Sequence, residues 1–224
     1  MRVFLALPSY DQRYWGHTMM SVLNARKPTT IAEVLPYPIS GSLLPRVFNE
    51  ALGISIARGY DVLCLLHADV SAEPGWLSMM LDEMQEHDAD VLSAVVAIKD
   101  ERGLSSTAVR TAEDDYRKLS LRECHALPQT FAAEDIGASM LLLNTGLMLM
   151  RTDRPWMKQW NGFRIRSCIQ WDTLTIDTVG EDWDMSEQLH ALDPQPKLMA
   201  TTAVQVHHWG SRMWGNGERV LPGL

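Results

Sequence analysis

Residues 62–66 of this chain read Val-Leu-Cys-Leu-Leu, five apolar side chains in succession behind Asp61. A strand of that kind has no polar face to turn to water, so it belongs inside a sheet covered on both sides, as parallel strands are. The neighbouring segments fit this demand. Val3 to Leu7 is a second short apolar run, closed by Pro8, Ser9 and Tyr10, and reads as a buried strand running into a loop. Ile31 to Leu35 gives a weaker strand. From Leu44 to Ala57 the apolar residues Leu44, Val47, Phe48, Ala51 and Leu52 keep a helical period, and Gly59 stands where a helix-ending glycine would. The stretch Ser71 to His87, with Pro74 near its start, puts Trp76, Leu77, Met80, Leu81 and Met84 on one helical face, and Asp90 to Ile98 is the next strand. Strands and helices in alternation predict an α/β fold with an open sheet flanked by helices, in a single compact domain.

Composition narrows the functional classes. With 224 residues, 46% hydrophobic and 21% charged, the chain is neither disordered nor fibrous and can build a core without metal or disulfide staples. Twenty Lys and Arg against 28 Asp and Glu leave a net charge of -8, which disfavours a partner held by bulk positive charge and leaves room for a local basic patch. Cys64, Cys124 and Cys168 are odd in number and far apart, as in a reducing cytosol. The first apolar run stops at Pro8, too early for a signal peptide, and Ala138 to Met150 is broken by Asn144, Thr145 and Gly146, short of the ~18 residues of a membrane span. A cytoplasmic location is expected. Between Lys99 and Gly137 the pattern dissolves into polar text with Gly103 and the acidic pair Asp114 and Asp115, which reads as a mobile excursion. It divides the chain into residues 1–99, the excursion 100–137, and residues 138–224.

Three clusters can carry chemistry. His67-Ala68-Asp69 follows the apolar strand directly, at the carboxyl end where open α/β sheets bind ligands, and its spacing suits a divalent cation bridging to a diphosphate. The plainer reading is a capped strand end. Asp88-Ala89-Asp90 is a cleaner acidic pair but lies at the amino edge of its strand and reads as a solvated helix end. Gly180-Glu181-Asp182-Trp183-Asp184 precedes a helical pattern, with Asp184 and Glu187 spaced as a capping box; an ionised carboxylate there suits a general base, or merely caps the helix. Val204 to Ser211 alternates as a strand, so His207 and His208 point to opposite faces and one of them can join a cation near Asp69. Finally, Arg151, Arg154, Lys158, Arg164 and Arg166 are interleaved with Trp156, Trp160 and Phe163, a local reversal of sign that suits stacking on bases or sugars, or else a solvated loop with buried aromatic anchors.

In this order the pieces resemble the family-2 type of GT-A glycosyltransferases, from Val3 to about Arg212. "ALPSYDQ" resembles the first strand and nucleotide loop, "LPRVFNEAL" the Arg-x-x-Asn helix, and "LLHADV" the Asp-x-Asp metal motif with His67 in place of the first acid. "NTGLMLMR" resembles the strand before the acceptor region, "GEDWDMS" the Glu-Asp motif of the catalytic base, and "HHWGSR" the late His-x-Gly-Ser segment. The resemblance implies an open mixed sheet of the GT-A, Rossmann-like kind, with a donor half up to residue 99 and an acceptor and catalytic half from residue 138. It implies a nucleotide-diphosphate sugar as donor, a UDP-sugar first among them, around Pro8, Ser9, Tyr10, Arg46, Asn49, His67 and Asp69. A divalent metal, Mn²⁺ or Mg²⁺, would sit on Asp69 and on His208 rather than His207. Asp182, or Glu181, would be the base of an inverting transfer. Trp183, Trp209, Arg164 and Arg166 would meet the acceptor, which the basic stretch extends to polyanions such as phosphorylated polymers or nucleic acid with hydroxylated bases. Two other readings stand beside this one: a nucleotidyltransferase, for which "LPSYDQRYWGH" is poor in glycine, and a catalytically silent carbohydrate- or nucleotide-binding module on the same scaffold.

Overall fold

A computed structural model describes residues 1–25, 31–111 and 116–217, so Asp114 and Asp115 lie outside the described residues. The first half runs β1 (Arg2–Ser9), α1 (Gly16–Leu23), β2 (Glu33–Ser40), α2 (Leu44–Ala57), β3 (Val62–Leu66), β4 (Val70–Ala72), α3 (Trp76–Glu86) and β5 (Val91–Ala94). Then come β6 (Leu104–Arg110), β7 (Tyr116–Ser120), α4 (Leu121–Ala126), β8 (Thr130–Phe131), β9 (Met140–Leu142) and β10 (Leu147–Arg151). The chain closes with β11 (Arg166–Gln170), β12 (Thr175–Val179), α5 (Glu181–His190), β13 (Leu198–Thr201), β14 (Val206–Trp209) and β15 (Met213–Gly215).

Seven strands make the central sheet in the order β2-β1-β3-β10-β5-β13-β8. β1, β2 and β3 are mutually parallel, as are β5 and β13, whereas β10 and β8 run antiparallel to their neighbours, so the sheet is mixed as expected. The weak strand at 31–35 is displaced to Glu33–Ser40 and passes through Pro36 and Pro38. The two prolines are two residues apart and so point their missing N–H groups the same way. β2 is an edge strand, where that side needs no ladder bond.

Side-chain alternation builds two cores, one on each face. Phe4, Ala6, Leu63, Leu65, Met148 and Met150 pack with Val47, Phe48 and Ala51 of α2. Val3, Leu5, Leu7, Cys64, Leu66, Leu147 and Leu149 pack with Trp76, Leu77, Met80 and Met84 of α3. Each such buried side chain contributes roughly 1.5–3 kcal/mol. Helix α2 has the expected bounds, with Pro45 in its first turn and Gly59 at φ +66° beyond its end. Helix α3 begins at Trp76, after Pro74 and a left-handed Gly75, rather than within the earlier Ser-Ala-Glu-Pro.

The polar stretch 100–137 is largely regular structure. β6 pairs with β7 and β9 in a separate three-stranded sheet. Its hydroxyls are internal: Ser105 and Thr107 are fully buried, and Ser105 Oγ lies 3.0 Å from the Thr107 carbonyl and 2.9 Å from that of Leu119. A polar letter on a buried, hydrogen-bonded position is indistinguishable in sequence from one on a loop.

Asn216 holds the late strands to the sheet. Its buried side-chain amide donates to the carbonyls of Val95 at 2.8 Å and Val204 at 3.0 Å, and its Oδ1 accepts from Val206 N at 2.8 Å. Asn216→Ala removes these three bonds and strands buried partners, which should cost about 2–4 kcal/mol at roughly 1 kcal/mol per bond and more for each unpaired group. A lowered urea midpoint at unchanged slope is the expected result.

Candidate active site

The carboxyl ends of β1 and β3 open on a cleft of about 630 Å³ whose lining includes Pro8, Ser9, Tyr10, Arg13, Trp15, His67 and Asp69. The expected nucleotide loop and the His67–Asp69 turn therefore share one cavity. Backbone bonds fix them together: Ala68 N donates to the Pro8 carbonyl at 3.1 Å, Trp15 N to the Ala68 carbonyl at 2.9 Å, and His67 N to the Gly146 carbonyl at 2.9 Å. His67 Nε2 is buried with no partner, and its ring lies 5.4 Å from that of Phe48. Burial lowers the imidazole pKa to about 4 against the pull of Asp69, so His67 is neutral at physiological pH.

Asp69 is the charged centre. β14 pairs with β4 so that His208 lies opposite Val70 and His207 opposite Ser71, and the alternation sends the two rings apart. His208 Nε2 faces Asp69 Oδ2 at 3.5 Å, and the same oxygen receives the Lys99 ammonium. His207 instead packs beside Gly215 and the Trp209 ring. Burial alone would raise the Asp69 carboxyl, but His208 and Lys99 hold it well below the usual carboxylate range. His208 Nδ1 lies 2.9 Å from the Ala97 carbonyl, an acceptor only, so Nδ1 carries a hydrogen and Nε2 is the ring nitrogen turned to Asp69. Ligand atoms about 2.0–2.2 Å from a metal lie about 3–3.5 Å apart, so the spacing of Asp69 Oδ2 and His208 Nε2 fits half of a metal shell. Among the described residues no third His, Cys, Asp or Glu joins it. A site of this kind would take its remaining ligands from water and phosphate.

Asp182 lies in the first turn of α5 and lines neither this cleft nor its neighbour. It is tied to the same end of the sheet by two short paths. Trp183 Nε1 donates to the Ser106 carbonyl at 3.4 Å, and Ser106 N donates to Val96, the residue before the anchor of His208. Ser186 Oγ donates to the Asp182 carbonyl at 3.0 Å and accepts from Leu143 N at 2.9 Å, at the start of the loop that meets His67 through Gly146. Burial, aided by the charge of Glu181, raises the Asp182 carboxyl to about 6, despite the bond from Trp183 N. The ring of Trp183 stacks with Tyr116 at 6.0 Å beside Lys118. Trp209 is stacked flat on His17 at 4.0 Å and donates to Ser71 Oγ at 2.8 Å.

Three expectations are corrected. The Asp184–Glu187 capping box does not form: Gly180 is the N-cap without a side-chain bond, and Asp184 is one turn inside the helix, 1% exposed. There it receives Arg164 Nε at 2.8 Å and Arg166 Nε at 3.0 Å, while Glu187 pairs with Arg166. Arg154 pairs with Asp88 at 2.6 Å and Asp90 at 3.0 Å, with Arg151 3.8 Å from Asp88. The four arginines of the basic stretch are therefore paired with acids, its Trp156, Trp160 and Phe163 are buried, and a polyanionic acceptor draws little support from it. Asn49 is also engaged elsewhere, exchanging two 2.8 Å bonds with the backbone of Phe163, and with Arg46 it lines a second hollow of about 450 Å³ rather than the donor cleft. Lys99, Trp15 and His17 were not singled out in the sequence. Lys99 alone carried a signal, as the first charge after an apolar strand.

Residues 51–133, which include β3, His67, Asp69 and Lys99, match the family described as glycosyl transferase family 2. No curated protein matches the chain in sequence. Among solved structures, A197 from STIV is 15% identical and superposes with a TM-score of 0.55 over 94% of this chain and 87% of its own, a likeness of fold. S. aureus TarS 1-349 is 13% identical with a TM-score of 0.49, covering 90% of this chain and 58% of that one; its complex with UDP-GlcNAc gives 12% and 0.49, over 90% and 56%. Among the described residues no helix is long and apolar enough to cross a membrane. The mixed α/β architecture and the match to the family-2 glycosyl transferase model across the His67–Asp69 turn thus fall on the same part of the chain.

Proposed function

We propose that the chain moves a sugar from a nucleotide-diphosphate sugar to an acceptor hydroxyl in a metal-assisted, inverting transfer. The observation that carries this reading is the 3.5 Å approach of His208 Nε2 to Asp69 Oδ2 at the edge of a cleft lined by Pro8, Ser9 and Tyr10. Asp69 and His208 would hold Mn²⁺ or Mg²⁺, which when bound neutralises the departing diphosphate. Pro8, Ser9 and Tyr10 border the nucleotide, with UDP-sugars the first donors to test. His67, being neutral, adds no second negative charge beside the phosphates. His207 is no ligand in this scheme, because the alternation of β14 turns it away.

Asp182 takes the proton of the acceptor hydroxyl. A carboxylate raised to about 6 is ionised at neutral pH yet basic enough to accept that proton, and this favours Asp182 over Glu181, which raises it. Attack from the side opposite the diphosphate inverts the anomeric carbon. Trp183, half-buried and adjacent to the base, is the acceptor platform; Trp209, fixed by His17 and Ser71, braces the turn that carries Asp69.

Incubation with UDP-, GDP-, dTDP- and CMP-sugars and Mn²⁺ should release free nucleotide from one of them, and Asp69→Ala should abolish the release. Pyrophosphate as the product would point to nucleotidyl transfer, and no turnover of any donor to a binding module. Asp182→Asn should lower kcat by about 10²–10⁴.

Below about pH 6 the wild-type rate should fall as Asp182 takes up a proton, and the Asn variant should lose that inflection. Stability moves the other way. A carboxyl with a raised folded-state pKa binds its proton more tightly when folded, so it destabilises the protein above pH 6 and ceases to do so as pH falls toward 4. The Asn variant should therefore melt above the wild type at pH 8, with the gap narrowing at pH 5.

A further inference from the structure

Lys99 follows the β5 segment and reaches back over the turn that carries Asp69. Its ammonium binds Asp69 Oδ2, the oxygen that His208 Nε2 also faces at 3.5 Å. The stem lies across Gly210, where a Cβ would stand 3.0 Å from Lys99 Cδ, so the missing side chain is what lets the lysine take this course. Gly210 N is itself fixed to the Arg212 carbonyl at 3.0 Å. The Lys99 and Asp69 side chains are each about one-third exposed, at 34% and 33%, so the pair is open to exchange with solutes.

These contacts set up a competition. One carboxylate oxygen cannot serve an ammonium and a divalent cation at full strength, because the two cations repel at contact distance and, among the described residues, no second carboxylate joins Asp69 and His208 to spread the charge. The imidazole of His208 does not relieve this, since its Nε2 faces the same oxygen and brings no negative charge. A diphosphate does, because it brings the negative charge that the displaced ammonium needs. We propose that Lys99 is the resident counter-ion of Asp69 and competes with the divalent cation for it, so that the cation binds weakly alone and tightly together with a nucleoside diphosphate. This rests on the reading of Asp69 and His208 as cation ligands. Lys99 acts here as a positioning residue that sets the order of binding, with the cation arriving as its nucleotide complex.

The test is Mn²⁺ binding without nucleotide, followed by electron paramagnetic resonance or calorimetry, on the wild type, Lys99→Met, Lys99→Arg and Asp69→Asn. Methionine keeps the stem over Gly210 and removes the charge, so Lys99→Met should bind Mn²⁺ at least tenfold more tightly than the wild type. Lys99→Arg should stay at the wild-type value, and adding Asp69→Asn to Lys99→Met should erase the gain. Saturating UDP should raise Mn²⁺ affinity more in the wild type than in Lys99→Met. If Lys99→Met binds no more tightly while Asp69→Asn still weakens binding, the competition is wrong and the ligand assignment stands. An equal gain in Lys99→Arg would also overturn it, by showing that bulk and not charge is at work. Mn²⁺ binding that ignores Asp69→Asn, or is absent from the wild type and Lys99→Met alike, would overturn both.

Discussion

Strand β10 lies antiparallel between β3 and β5 with both faces buried, and this wedge decides where the polar groups of the site can be. Its amino end meets the carboxyl ends of its neighbours, so the loop at 143–146, the turn at 67–69 and residues 95–99 emerge side by side. Polar bonds then lock them. Asn144 Nδ2 donates to the Ala94 carbonyl at 2.9 Å, Ser93 Oγ to the Asn144 carbonyl at 2.7 Å, and Gly146 accepts from His67 N. Because the apolar faces of β10 fit only one register, a slip of one residue would turn Leu147 and Leu149 into the wrong core and carry the whole loop with them. The position of Asp69 is thus a consequence of packing several residues away.

The same scaffold gives two carboxylates opposite environments. Asp69 meets an ammonium and an imidazole at its edge and is held ionised at any physiological pH, as a group meant to carry fixed charge should be. Asp182 is buried at the start of a helix beside another acid, and only a backbone N–H opposes the rise of its pKa to about 6. Environments that push two acids apart separate a charge-holding role from a proton-accepting one. A third acid, Asp184, is buried more completely than either, yet two guanidiniums and Gln188 satisfy it, and its work is to pin the base of the β11–β12 hairpin to α5.

What was legible in the sequence follows from period and position. The apolar runs at 3–7 and 62–66, the helix at 44–57 and the late Leu-Met-Leu-Met announced themselves because a doubly covered sheet leaves no polar positions to confuse the pattern. His67–Asp69 was found from its place at a strand end, and the alternation of a strand limited the tandem histidines to one near Asp69, while the preference for His208 came from the family resemblance. Long-range polar pairing was not legible. Asp88 and Asp90 look solvated and Arg151 to Arg166 look like a basic face until the fold brings each set to its partners, 18 or more residues away. The hydroxyl of Ser105 misled for the same reason, since its partners are the backbone carbonyls of Thr107 and Leu119, which no letter records. Lys99 lies 30 residues from Asp69, and nothing in its immediate sequence names that partner.

The substitution of His67 for an acid and the presence of Lys99 belong to one electrostatic arrangement. An aspartate at position 67 would put a second negative charge beside Asp69, and a two-carboxylate turn would attract a divalent cation without help. A buried imidazole held neutral removes that charge, and the ammonium cancels most of what Asp69 retains. The turn is then close to uncharged, and on the proposed reading a cation seated there would owe its attraction to the phosphates it accompanies. Neutrality of this kind also makes the turn affordable to bury: Asp69 is two-thirds covered, and an uncompensated carboxylate there would carry a desolvation cost of several kcal/mol. The features that weaken the turn as a free-standing metal site are those that let it sit, folded and stable, at the edge of the core.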